Sequence, residues 1–281
     1  MTDISRRAFV KGVAALLPAA HILSADPLEK GNLGVQLYTV RKIIEQNPAA
    51  VLQSIQKIGY TEVEAIYDSL DKIWPALRLT HLSAVSVHGS VPVFQQASVL
   101  HSLKQRGFDY IVIPYLRDDQ GVAAVKRIAK TLDTIGKQAK SEGLTLCYHN
   151  HAHDFKPING TPAIDMLMNE TQKDYVHLEL DIFWASVAGH NPVDVLKKFS
   201  GRVPLVHLKD KASGIPVQYN EHVPASAFKA VGSGTIDIPA VLSAADHAGV
   251  KHYFVEQDQT PGNPIASLRK SYDYLKQHFG A

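Results

Sequence analysis

The 281-residue chain holds one cysteine, Cys147. A lone thiol excludes a disulfide framework in any compartment and excludes a metal centre built on thiolates. It stands inside the apolar run LTLCYHN, where it reads as a small core residue rather than a nucleophile. Charge of one sign is equally scarce, with 29 basic against 27 acidic residues and a net charge of +2. Leaving aside Arg6, Arg7, Lys11 and Asp3 near the N-terminus makes the balance even. Such a chain carries no electrostatic footprint for nucleic acid. The first strand-to-helix unit has no G-x-G-x-x-G turn, which argues against a dinucleotide-binding open sheet. No internal repeat or low-complexity segment stands out.

What is present is ordinary globular material, 45% hydrophobic and 8% aromatic, enough for one large α/β domain or two small ones. Residues 5–11 read SRRAFVK and precede GVAALLPAA, an apolar stretch too short to span a bilayer. The pattern resembles a twin-arginine export signal. The expected organisation is a leader over 1–25, with cleavage near Ala20 or Ala25 or none, and one catalytic domain over 26–281. The resemblance implies a periplasmic or exported protein; a basic tail on a cytoplasmic protein is the plainer reading.

Short apolar runs alternate with stretches of helical period, the pattern of βαβ units and a parallel sheet. Eight runs read as strands: 32–38, 61–66, 82–88, 110–115, 144–150, 176–181, 203–210 and 252–258. Helices are expected near 46–58, 69–79, 94–106, 119–142, 162–170, 192–199, 238–248 and 263–278. Pro48, Pro192, Pro239 and Pro264 each fall near the first turn of one, where proline is tolerated. Eight strand–helix units predict an α/β fold of the (β/α)8 TIM-barrel type, with a doubly wound sheet as the alternative.

In such a barrel, reactive groups come from the C-terminal ends of the strands. Those ends carry Gln36, Glu64, His88, His149 with His151, Asp181, His207 with Lys209, and Glu256 with Asp258, and only the fourth run contributes no such group. A single histidine at a strand end is usually a hydrogen-bonded rim residue. Many ionisable groups at one end are costly to bury unless paired or bound to a cation. Asp181 and Glu256 with His149 and His207 form a mixed oxygen and nitrogen set suited to one divalent ion such as Mn²⁺, Zn²⁺, Co²⁺ or Fe²⁺.

Residues two apart on a strand share a face, so His149 and His151 point the same way, with His149 deeper. His149 is the expected ligand or base and His151 the substrate or outer contact, with the reverse assignment open; His153 reads as a loop residue. Gln36, Glu64, His88 and Trp184 are candidate substrate contacts, Trp184 equally a packing residue. The long connection from Lys211 to about Val231 reads as a binding loop or lid, which makes Tyr219, Glu221 and His222 further candidates. Gly232 and Gly234 are expected to form a tight turn ahead of Asp237 as a helix cap.

Taken in order, GVQLYTVR, YHNHAHDF, LELDIFWASVAGHNP, VHLKD, VGSGTIDIP and YFVEQD resemble the sugar phosphate isomerase/epimerase family. This xylose isomerase-like barrel group includes tagatose epimerase, inosose dehydratase and 3-dehydroshikimate dehydratase. The resemblance implies a divalent ion at the ends of strands five to eight, held by Asp181, His207 and Glu256. The strand-five glutamate of the epimerases is absent; His149 takes its place, or the protein supplies three ligands. Asp154 stands where many relatives have glutamate.

Polarising a carbonyl acidifies the adjacent C–H, and a base then forms an enediolate. His149, His151 or Glu256 is the expected base, with Lys209 beside the developing charge. The leading expectation is a metal-dependent isomerase or epimerase of an unphosphorylated sugar or keto-sugar. The alternatives are a lyase or dehydratase eliminating from a 3-keto-sugar or keto-glycoside, and an exported sugar-binding barrel without turnover. An abasic-site endonuclease needs more ligands than can be placed. The expected partner is a small carbohydrate, with no nucleic acid, no membrane beyond export, and self-association left open.

Overall fold

The computed structural model describes residues 33–115 and 121–280; the leader expected over 1–25 lies outside them. Eight parallel strands close into a barrel: β1 Leu33–Gln36, β2 Glu62–Ile66, β3 Ser83–His88, β4 Tyr110–Ile113, β5 Thr145–His149, β6 Val176–Asp181, β7 Leu205–Leu208 and β8 His252–Val255. Each strand pairs with its sequence neighbours, and β8 pairs with β1, so the open-sheet alternative is excluded.

A main helix follows each strand on the outside: α1 Pro48–Ile58, α2 Tyr67–Leu77, α3 Ala97–Gln105, α4 Val122–Ser141, α5 Ala163–Glu170, α6 Pro192–Lys198, α7 Ile238–Ala248 and α8 Pro264–Phe279, with short helical turns at Arg41–Ile44, Val91–Phe94 and Ile182–Val187 besides. The four prolines stand in first turns, where a missing N–H costs nothing. Asn47, Asn191, Asp237 and Asn263 cap the same helices through their side chains.

Alternation along the strands divides the molecule into an outer and an inner core. Outward residues such as Val35, Val63, Val87, Ile111, Leu146, Leu178, Val206 and Tyr253 pack against the helices. Inward residues behave differently along the barrel axis. Toward the N-terminal ends, Val85, Val112, Cys147, Leu205 and Phe254 form an apolar plug of their own. Gly34 makes room for it, since a Cβ there would lie 2.6 Å from the Phe254 ring. Toward the C-terminal ends the inward side chains are polar. The barrel thus carries a dry floor beneath a charged mouth.

Candidate metal centre at the barrel mouth

Strand register sets the levels of the mouth. Asp181 of β6 lies beside His207 of β7, and Glu179 of β6 lies beside His149 of β5. His149 Nε2 stands 3.1 Å from His207 Nδ1 and 3.3 Å from Asp181 Oδ2. His207 Nδ1 is 2.8 Å from Glu256 Oε2. One donor atom from each of these four buried residues falls within 4.8 Å of the others. Asp181 divides its oxygens: Oδ1 accepts from the Trp184 N–H at 2.9 Å, capping the turn that follows β6, while Oδ2 faces the cluster. Asn150 ties the two strand ends together by pairing with the Asp181 backbone at 3.0 and 3.2 Å.

Lys209 is 2% exposed and sits among three carboxylates, 2.8 Å from Asp181, 2.6 Å from Glu256 and 2.5 Å from Asp258. Burial disfavours its charge, but Asp181, Asp258 and Glu256 outweigh that and hold the ammonium well above its ordinary pKa. Burial likewise opposes ionisation of Glu256, yet Lys209 and His207 keep it well below the usual carboxylate range. Asp258 goes the other way, pushed up by burial to about 6 despite Lys209. With the three carboxylates ionised and one ammonium, this tier carries two excess negative charges that a divalent cation would balance. The field already favours positive charge: burial disfavours it on His207, but Glu179, Glu64 and Glu256 raise its pKa well above the ordinary value. The donor set and the charge both fit a divalent ion of borderline character.

His207 has a second set of partners below. Its Nε2 lies 2.6 Å from Glu64 Oε1 and 3.3 Å from Glu179 Oε1. Glu64 also accepts from Gln36 at 2.7 Å and from Ser86 at 2.5 Å. His88 Nε2 stands 2.9 Å from both Glu64 Oε1 and Glu179 Oε2. Burial would lower His88, but Glu64 and Glu179 raise it to about 9.

These positions correct the expectation that Gln36 and Glu64 contact substrate. Both are fully buried and spend their polar atoms on each other, on Ser86, on His207 and on the Tyr38 N–H. They support His207 from beneath. His88 is the member of that lower set that reaches solvent, with its side chain 12% exposed. Glu179 escaped the sequence reading, which took the last residue of each strand. The signal was there in VHLELD, because the residue two before Asp181 shares its inward face.

The rim is aromatic and imidazole-rich. His151 packs 4.9 Å from the His149 ring, 5.3 Å from Tyr115 and 5.7 Å from Trp184. Asp154 holds the turn that carries it, accepting from the His151 N–H and the Tyr148 hydroxyl, each at 2.7 Å. His149 Nδ1, His151 Nδ1 and Trp184 Nε1 are buried without a hydrogen-bond partner. Burial, reinforced by neighbouring cations, depresses both imidazoles well below the ordinary histidine pKa, so they stand neutral. Trp184 is 2% exposed and packs on Phe228 and Phe183, so it is a core residue with one side toward His151.

The long connection after β7 is rooted by pairing of Asp210–Lys211 with Phe228–Lys229. It reaches the rim through Glu221, whose carboxylate lies 2.7 Å from His153 Nδ1. His222, expected to touch substrate, is exposed, its N–H donating to Asn220 Oδ1 at 2.9 Å, and Tyr219 is 37% exposed. Asp210 is buried and receives the N–H groups of Gly234 and Ile236 at 2.7 and 3.1 Å. A Cβ at Gly234 would lie 2.3 Å from that carboxylate, which explains the glycine.

Residues 95–278 match the family model for the xylose isomerase-like TIM barrel. The chain belongs to that family. Among xylose isomerase-like barrels, a curated inosose dehydratase of Clostridium botulinum is 31% identical over 160 residues, 53% of this chain and 53% of its own length. The alignment therefore spans about half of that relative. A sugar phosphate isomerase/epimerase from Parabacteroides distasonis superposes with a TM-score of 0.74 at 21% identity, covering 88% of this chain and 94% of that one. The IolI protein with a bound zinc atom superposes with a TM-score of 0.70 at 18% identity, covering 89% and 100%. At such identities the superpositions establish the shared barrel. Among the described residues no helix is long and apolar enough to cross a membrane.

Proposed function

We propose that the protein is a divalent-metal-dependent enzyme that removes a proton next to a carbonyl in an unphosphorylated sugar or polyol ketone and then expels a β-substituent, as a dehydratase or lyase does. His149, Asp181, His207 and Glu256 would hold the ion. When bound, the ion polarises the substrate carbonyl and lowers the barrier to enolisation. His151, which stays outside the ligand set, accepts the proton, since it is neutral and offers an unpartnered ring nitrogen. Lys209 places fixed positive charge beside the developing oxyanion. Trp184 and Tyr115 flank His151, and the Glu221–His153 contact holds the long loop at the rim and limits water.

The observation that carries elimination over epimerisation is the one-sided placement of His151, 4.9 Å from the ring of the ligand His149 at one strand end. A single base on one side of a pocket can abstract the proton and then hand it to a leaving group on the same face. Epimerisation needs bases on opposite faces, and Glu256, the facing carboxylate, is engaged by Lys209 and His207. The dehydratase name of the curated relative supports the same choice. Isomerase or epimerase activity is the second reading, favoured by β5 and β8 standing apart across the mouth. An unphosphorylated substrate is supported by two cations near the mouth among the described residues: Lys209 is held by three carboxylates and Arg41 by the carbonyls of Tyr38 and Asp258.

Incubation of the metal-loaded protein with keto-sugars in D₂O tests the reading. Loss of water or aglycone is expected. Deuterium wash-in at one carbon with neither lost would select the epimerase instead. The SRRAFVK segment supports export; a reporter fused to residues 1–32 should reach the periplasm, and Arg6→Lys with Arg7→Lys should retain it inside.

A further inference from the structure

The tier beneath the proposed metal centre holds two fully buried carboxylates, Glu64 and Glu179, facing one partly exposed imidazole, His88. Two carboxylates buried together are costly unless a cation stands between them.

The geometry points to a second divalent-cation site directly beneath the first, formed by Glu64, His88 and Glu179, with His207 joining the two tiers. This inference rests on the reading of the upper tier as a metal centre. Three observations carry it. Donor atoms of Glu64, His88, Glu179 and His207 lie within 4.8 Å of one another. Glu179 Oε1 is buried in this cluster and makes no hydrogen bond, although His207 Nε2 is 3.3 Å away. The carboxylates of Glu64 and Glu179 converge on one nitrogen, His88 Nε2, each at 2.9 Å.

These are the separations of groups sharing a proton. Around an ion bound at roughly 2.0–2.2 Å they would open by less than about 1 Å. A divalent ion there would set two positive charges against the two carboxylates of Glu64 and Glu179. His207 keeps its Nε2–H on Glu64 and its Nδ1 on the upper ion, so each site favours occupation of the other. The donor set of two carboxylates and one imidazole suits Zn²⁺, Co²⁺, Fe²⁺ or Mn²⁺, with solvent completing the coordination.

Metal analysis of the full chain, stripped with chelator, reloaded with Zn²⁺ and desalted, tests the inference. Wild type should retain two equivalents, Glu179→Gln one and His88→Gln one, each with an unchanged far-ultraviolet circular dichroism spectrum. Reloading with Mn²⁺ should give a spin-coupled resonance signal in wild type and an isolated-ion signal in both variants. One equivalent in wild type, lost in Asp181→Asn and kept in Glu179→Gln and His88→Gln, would overturn the second site and leave the first standing. Two equivalents in all three proteins would also overturn it. No retained metal in wild type would remove both readings. Should Glu179→Gln fail to fold, the variant at the partly exposed His88 decides alone.

Discussion

Toward the N-terminal ends of its strands, the barrel interior is filled by Val85, Val112, Cys147, Leu205 and Phe254. Toward the C-terminal ends the same strands supply Glu64, His88, His149, Glu179, Asp181, His207 and, just past β8, Glu256. β7 shows the contrast within three residues, Leu205 in the plug and His207 in the mouth. A strand can serve both purposes because alternate side chains share a face and differ only in depth. The plug supplies burial and rigidity, while the mouth holds like charges together at a cost that the plug and outer core offset. Substitutions at the two ends should therefore give opposite signatures.

The largest effect is expected at the mouth. Asp181→Asn removes one charge of the proposed metal set, and activity should fall by about 10³-fold as several kcal/mol of electrostatic stabilisation are lost. The thermal midpoint of the chelated variant should shift by no more than about 4 °C, because the asparagine oxygen can still cap Trp184 and Lys209 keeps Glu256 and Asp258 as partners. A large drop in stability with activity retained would break the division. The converse holds for Leu205→Ala in the plug, expected to cost about 2–5 kcal/mol by denaturant titration while the folded fraction keeps its turnover.

A smaller and more specific effect is expected at Gly34. The added methyl of Gly34→Ala would stand 2.6 Å from the Phe254 ring, so overpacking should cost about 1–3 kcal/mol. Combining it with Phe254→Leu should recover part of that loss, and a double-mutant cycle measures the coupling. Strictly additive losses would mean that Gly34 is required for another reason.

The two ends were not equally legible. All eight strands and their helices could be placed from periodicity, since burial against the helices imposes alternation on every strand, and prolines marked helix starts such as Pro48. The residues of the mouth were visible as ionisable groups where apolar runs stop. Depth was not visible. Gln36 and Glu64 looked like substrate contacts and are buried supports of His207, because register and barrel closure, which decide what lies beneath what, depend on partners far away in the chain. Glu179 was hidden by attention to final residues. The loop after β7 has no period, so nothing local distinguished Glu221, which pairs with His153 at the rim, from its exposed neighbour His222.

The smallest effect concerns how that loop is attached to the mouth. Partial burial would raise the Glu221 carboxyl, but the hydrogen bond and charge of His153 outweigh it and hold it at about 2. A carboxylate depressed in the docked state stabilises that state fully above its ordinary pKa near 4.5, and the contribution is lost as pH falls through about 2. Protease susceptibility within residues 217–223 should therefore be flat above pH 5 and rise on acidification, read with an acid-active protease. Glu221→Gln should show the raised susceptibility already at neutral pH and little further change. Because the pair is partly exposed, the increase should stay within about fivefold, in keeping with ~1 kcal/mol for such a contact. Turnover should fall less than for any substitution in the metal set, since the loop shields the chemistry without taking part in it. Equal acid sensitivity in wild type and Glu221→Gln would mean that the loop is held by its apolar root at Phe228 instead.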